Sequence, residues 1–158
     1  MAKKNEKTNV MRLLDAAKIE YIPHEYDAAV TDGVTIASLL GEDEAKVFKT
    51  LVTEAPGGAH FVFVIPVAET LDLKAAARAA GVKSISMIKQ KELLPLTGYV
   101  HGGCSPVGMK KPYPTFFDSS AKALGAFCVS AGKVGHQVEL SPASLAEYIG
   151  AIFAPLTV

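Results

Sequence analysis

Residues 47–67 read VFKTLVTEAPGGAHFVFVIPV. Two runs rich in β-branched and aromatic residues flank the turn Ala55-Pro56-Gly57-Gly58-Ala59, a pattern that predicts a β-hairpin. Lys49 interrupts the first run beside Phe48 and Leu51, so one face of that strand must be partly polar. A lysine there either guards an open strand edge against aggregation or points into a pocket.

Working outward toward the N-terminus, Glu42 to Lys46 form a charged turn, preceded by TDGVTIASLLG, which predicts a helix from about Asp32 to a left-handed cap at Gly41. The stretch EYIPHEYD alternates around a proline and predicts a short edge strand. Val10, Leu13, Leu14 and Ala17 repeat at helical spacing after Thr8-Asn9 and predict a helix over 9–18. In the other direction, Asp72 caps the alanine-rich LKAAARAA, which Gly81 ends; VKSISMI predicts a strand and KQKELLP a short helix. Strands follow in GYV, PTFFD, AFCVS and HQVEL, and Ser141 with Pro142 opens a last helix through SLAEYIGAIF.

Helices and strands alternate without a βαβ rhythm, and several connections are too short for parallel crossovers. The expected fold is therefore α+β: one domain over residues 1–158, with a mixed, largely antiparallel sheet, open or curled into a barrel, flanked by helices. At 158 residues and 49% hydrophobic composition, the chain is long enough to close one core. Sixteen basic residues balance sixteen acidic ones, which excludes a protein that binds by coating many phosphates. The polar start MAKKNEKTN lacks the apolar region of a secretory signal, and no segment approaches the length of a membrane span. Cys104 and Cys128 fit neither a CxxC nor a Cys/His ligand spacing, so reduced thiols, no metal, no cofactor and a cytoplasmic setting are expected.

The most unusual stretch is TGYVHGGCSPVGMKK, residues 97–111. It lacks the GK[ST] ending of a phosphate-binding loop. Paired glycines still allow close backbone approach and offer N–H groups to an anion or a developing oxyanion; a plain turn before Ser105-Pro106 is the alternative. Cys104 beside His101 suggests a cysteine hydrolase, although no third group that would orient the histidine can be named, and a free cysteine is commonly buried and inert. His24, His60 and His136 are expected in surface or hydrogen-bonded structural roles. Lys3, Lys4 and Lys7 read as a solvated tail, and Lys110-Lys111 as the same or as a weak backbone contact to nucleic acid.

Taken together, FKTLV, VAETLDLK, LTGYVHGGCSPVGMKK, TFFDSS and VSAGKVGHQVEL resemble, in order and spacing, the YbaK family of aminoacyl-tRNA deacylases over nearly the whole chain, from about Tyr26 to the last helix. The resemblance implies a free-standing editing protein, similar to the insertion domain of bacterial prolyl-tRNA synthetases, that hydrolyses the ester joining a wrong amino acid to the 3′-terminal adenosine of a tRNA. In the Cys-tRNA(Pro) branch the substrate's own thiol is thought to attack the ester and leave as a cyclic thioester. It implies roles for Lys49 on the terminal nucleotide or the developing charge, for Gly102 and Gly103 as the backbone cradle of the adenosine and ester, and for Tyr26, Thr50, Ser105 and Ser130 along the substrate site. Gln137 stands where some cysteine-specific members carry an acidic residue, and Asp32 falls near an aromatic pocket position, which opens the question of which amino acid is removed. Cys104 occupies the variable position of GGxSPxG, unsuited to a nucleophile. The implied partners are aminoacyl-tRNA and, for tRNA choice, prolyl-tRNA synthetase. A non-catalytic module that captures a nucleotide or tRNA 3′ end through the same loop is the alternative.

Overall fold

The computed structural model describes residues 7–30 and 32–158; Lys3 and Lys4 lie outside them. The elements run α1 (Asn9–Ala16), β1 (Ile22–Glu25), α2 (Gly33–Leu40), β2 (Phe48–Glu54), β3 (His60–Pro66), α3 (Leu73–Ala80), β4 (Ser86–Met87), α4 (Leu93–Thr97), β5 (Thr115–Asp118), β6 (Phe127–Ser130), β7 (His136–Leu140), α5 (Pro142–Ile149) and β8 (Ile152–Ala154). Local chemistry sets most boundaries. Asp32, Asp72 and Ser141 each accept a backbone N–H of the first helical turn, and Gly41, Gly81 and Gly150 end the same three helices in the left-handed conformation.

The strands form two sheets, ordered β4-β2-β3-β5-β8 and β1-β7-β6, which meet at an isolated bridge between Val47 and Cys128. The hairpin β2–β3 pairs in full register from Phe48–Pro66 to Glu54–His60. Four pairings are antiparallel, while β3–β5 and β5–β8 are parallel, so the mixed, largely antiparallel sheet is as expected. The barrel alternative is not realised, because β1, β4 and β8 remain edges.

β3 explains its own composition. Val62 and Val64 enter the main core with Val10, Leu14, Phe117, Phe127 and Leu145, whereas Phe63 and Ile65 enter a second core against Ala76 and Ala77 of α3. A strand covered on both faces must be apolar at successive positions, which is what the run from Phe61 to Ile65 provides. Phe127 packs edge-on to Phe48 at 5.0 Å and tilts against Phe117 at 5.4 Å, so rings from three strands lock the main core.

Three local expectations fail. The last helix stops at Ile149 because Gly150 caps it at φ 74°, and Ile152–Ala154 becomes β8, parallel to β5. Of VKSISMI only Ser86–Met87 pairs, and GYV forms no strand because Gly98 caps α4 and the chain turns at once. Lys7 is solvated as read, and its ammonium pairs at the surface with Asp15 at 2.5 Å. Among the described residues no helix is long and apolar enough to cross a membrane.

Candidate functional site

Between the bridge at Val47 and the pairing of Thr53 with Met87, one edge of β2 has no strand paired with it among the described residues. A cavity of about 180 Å³ occupies that gap. Its walls bring together Lys49, Thr50, Gly102 and Gln137, four residues from three distant segments. The two readings of Lys49 therefore merge, since the open edge that a charge would guard is itself the pocket wall. Lys49 is the one permanently charged side chain in the lining among the described residues.

Apolar walls complete the cavity. Gly33 and Ile36 come from α2, Val67 follows β3, and Leu93 opens α4. Gly33 is required by packing: a Cβ there would lie 2.6 Å from Val67 Cγ1, so only glycine lets the start of α2 close over the pocket. None of these four was singled out from the sequence. The nearest signal was the helix start beside Gly33, marked by the Asp32 cap. That carboxylate accepts the Thr35 hydroxyl at 2.7 Å and its N–H at 3.1 Å, bonds that hold its pKa below the ordinary range, with a smaller contribution from the Lys49 charge.

The loop after α4 is braced from within. Gly102 lines the pocket with φ +88°, and the Gly103 N–H donates to the Val100 carbonyl at 3.0 Å. A Cβ on Gly103 would sit 3.0 Å from the Val134 nitrogen, so the loop lies flush on the turn before β7. Ser105 is fully buried and its Oγ accepts the Val107 N–H at 3.2 Å, while the Tyr99 hydroxyl donates to the Val107 carbonyl.

Cys104 also touches the cavity, but burial pushes its thiol up to about 12, with the Thr97 side chain opposing only in part. Such a thiol stays protonated at neutral pH and is no nucleophile. The cysteine-hydrolase reading is set aside on that ground.

Four buried polar side-chain atoms lack a hydrogen-bond partner among the described residues: Tyr26 OH, Thr50 Oγ1, His136 Nδ1 and Gln137 Oε1. An unpaired buried polar atom costs about 1–3 kcal/mol, so native proteins keep few without a reason. Thr50 and Gln137 both line the cavity. His136 departs from expectation: it is buried, with Nδ1 3.8 Å from a Glu25 oxygen, and neither on the surface nor hydrogen-bonded at that atom. His24 does take a structural hydrogen bond, to Glu139 at 2.8 Å, and half-buried His60 lies edge-on to Tyr113.

The other expected site residues stand outside the cavity wall. Gly103 and Ser105 brace the loop from beneath, and Ser130 Oγ accepts the Gly132 N–H at 3.2 Å on the sheet face shared with Gln137. Tyr26 follows β1, and its N–H donates to the Gly135 carbonyl at 2.9 Å. A larger and more open depression of about 940 Å³ lies between the end of α1 and β1, lined by Asp15, Lys18 and Tyr21 among others. None of the four unpaired atoms belongs to its lining, so the smaller cavity is the better candidate.

Comparison with known proteins gives the chain its family. Residues 28–148 match the family model of the aminoacyl-tRNA editing domain. The chain belongs to this family, the YbaK group that its motifs resemble. It is 41% identical over 163 aligned residues, covering 99% of this chain and 98% of the other, to a protein of Enterococcus faecalis named as a Cys-tRNA(Pro)/Cys-tRNA(Cys) deacylase, EbsC. The fold matches a solved structure described as a trans-editing enzyme for prolyl-tRNA synthetase, with a TM-score of 0.82 at 22% identity, covering 97% of this chain and 99% of that one. It also matches the protein APE2540, with a TM-score of 0.88 at 24% identity, covering 96% and 100%. The enzyme class read from the sequence, an aminoacyl-tRNA deacylase, agrees with the family and the relative.

Proposed function

We propose that this protein is a trans-editing hydrolase that deacylates mischarged tRNA, foremost Cys-tRNA(Pro). The observation that carries the reading is the meeting of Lys49, Thr50, Gly102 and Gln137 at one cavity, within a chain whose residues 28–148 match the editing domain. A cavity of about 180 Å³ is smaller than the roughly 300–1,000 Å³ of sites for drug-sized ligands. It suits the aminoacyl group, leaving the terminal adenosine at the mouth over the glycine loop.

In this reading the substrate thiol attacks its own ester carbonyl. The C–S bond forms, the bond from the carbonyl carbon to the ribose oxygen breaks, and the thiol proton ends on that oxygen. The cyclic thioester is then opened by water to free cysteine. The ammonium of Lys49 faces the negative charge that develops on the reacting oxygens and favours the ionised thiol. The Gly102 backbone supplies close approach to the ester; Gly103, its N–H already engaged, acts with Ser105 by holding the loop in place. Thr50 and Gln137 present their unpaired oxygens to the ammonium group of the substrate, with Tyr26 and Ser130 behind them. An electrically neutral protein that holds only the end of a tRNA binds it weakly, so prolyl-tRNA synthetase is the proposed source of tRNA choice, in the cytoplasm.

The test is release of amino acid from Cys-, Ala-, Pro- and Ser-charged tRNA by the native protein and by Lys49→Ala. Cysteine should be released fastest, serine should be inert because it lacks the thiol, and Lys49→Ala should be slow. Saturable binding of an aminoacyl-adenosine analogue without cleavage of any charged tRNA would replace the hydrolase with a binding module.

A further inference from the structure

A second cluster lies on the face of the small sheet that carries Gln137, opposite the face that packs into the main core, and outside the pocket lining. The register pairs Cys128 with Glu139 and Ser130 with Gln137 across β6 and β7, and His24 with Gln137 across β1 and β7. Paired residues share a face and alternate residues return to it, so His24, Cys128 and Glu139 point the same way. Glu42 reaches them from the turn that follows the Gly41 cap of α2. One ligand atom from each of His24, Glu42, Cys128 and Glu139 lies within 4.8 Å of the other three.

We propose that His24, Glu42, Cys128 and Glu139 bind one divalent transition-metal ion of the zinc class. The donor set is one imidazole nitrogen, one sulfur and two carboxylate oxygens, all ligand types that zinc takes in four-coordinate sites. Zinc bond lengths of roughly 2.0–2.3 Å give a tetrahedron with edges of roughly 3.3–3.8 Å. The spread of 4.8 Å exceeds those edges, so binding would draw the four side chains closer together. Cys128 is fully buried, among Ala37 and Val47, while His24, Glu42 and Glu139 are half-buried. Two carboxylates gathered over a buried thiol are costly unless a cation joins them. In its absence His24 pairs with Glu139 at 2.8 Å. Lys46, whose charge also reaches Cys128, is an exposed side chain. Binding would pin the end of α2 to the small sheet, and the start of the same helix supplies Gly33 and Ile36 to the pocket wall.

The experiment titrates Co²⁺ into the reduced, full-length protein. One equivalent should produce thiolate-to-cobalt charge transfer and the visible bands of a tetrahedral site, and Zn²⁺ should erase both. Cys104→Ala should leave the spectrum unchanged, and Cys128→Ala should abolish the charge transfer. Because Cys128 is in the core, Glu42→Gln gives a second reading at a half-buried position. It should weaken binding by more than about tenfold, the low end of what losing even an outer-shell partner costs. Zinc should raise the melting temperature of the native protein and leave that of Glu42→Gln nearly unmoved at the same concentration. Absence of saturable binding, or charge transfer that survives Cys128→Ala, overturns the proposal. Neither outcome bears on the deacylase reading, which rests on the neighbouring cavity.

Discussion

The two sheets of this protein are built for different tasks. In the five-stranded sheet β3 is sealed on both faces by valine, phenylalanine and isoleucine, and its neighbour β5 contributes Phe116 and Phe117 to opposite cores. The three-stranded sheet carries His24, Cys128, Ser130, Gln137 and Glu139 on a single face, and Gln137 has a buried oxygen without a partner. The first arrangement supplies stability, and the second leaves polar groups unsatisfied where a ligand can reach them. Lys49 and Thr50 lie on the boundary, in the stretch of β2 that pairs with β3 on one side and with no strand on the other among the described residues. The opposite face of the small sheet gives Phe127, Val129, Val138 and Leu140 to the main core, so the chemistry is confined to one face of it, and the pocket opens along the seam.

That separation can be broken from either side. Phe63→Ala, deep in the sealed sheet, should cost about 3–5 kcal/mol in chemical denaturation while leaving the rate per folded molecule unchanged. A large loss of rate in the folded fraction would mean that the two regions are coupled. Lys49→Met should do the opposite, lowering kcat/KM on Cys-tRNA(Pro) by about 10²–10³-fold with a near-native denaturation curve. Thr50→Val removes a hydroxyl that has no partner among the described residues, so stability should hold or rise by about 1 kcal/mol while KM increases.

Cys104→Ala should have no effect on rate. Its signature is in the pH dependence of stability. The folded thiol is held protonated up to about 12, against an ordinary value of 9.0, so the unfolded chain releases this proton first as pH rises. The stabilising contribution is complete below about pH 9 and falls away toward pH 12, and the alanine variant should lack that part of the decline. A rate that drops in Cys104→Ala while the fold persists would restore the nucleophile.

The sequence was most legible where structure is local. The hairpin, the caps at Asp32, Asp72 and Ser141 and the strands PTFFD, AFCVS and HQVEL all stand as read, because each depends on the few residues around a turn, cap or alternating run. It misled where a local pattern was ambiguous. SLAEYIGAIF reads as one helix, yet Gly150 stops it and Phe153, edge-on to Phe117 at 5.7 Å, is drawn into a parallel strand by a partner more than thirty residues earlier. The candidate site was half legible. The family motifs marked Lys49, Thr50, Gly102 and Gln137, which do meet, but also Ser105 and Gly103, whose part is to brace the loop. Nothing in the order of residues marked Gly33, Val67 or Leu93 as pocket wall, since their roles depend on how α2 and α4 close over β2.

By itself the sequence determined most of the elements, the helix caps, the open charge at Lys49 and the family motifs, because these follow from steric and hydrogen-bonding preferences that act over a few neighbouring residues. The tertiary structure decided what those elements bring together. It alone left the edge of β2 open, buried Thr50 and Gln137 without partners, pushed the Cys104 thiol beyond use, and gathered His24, Glu42, Cys128 and Glu139 around one point. Each of those outcomes depends on the register and burial of segments far apart in the chain, which no short-range preference specifies.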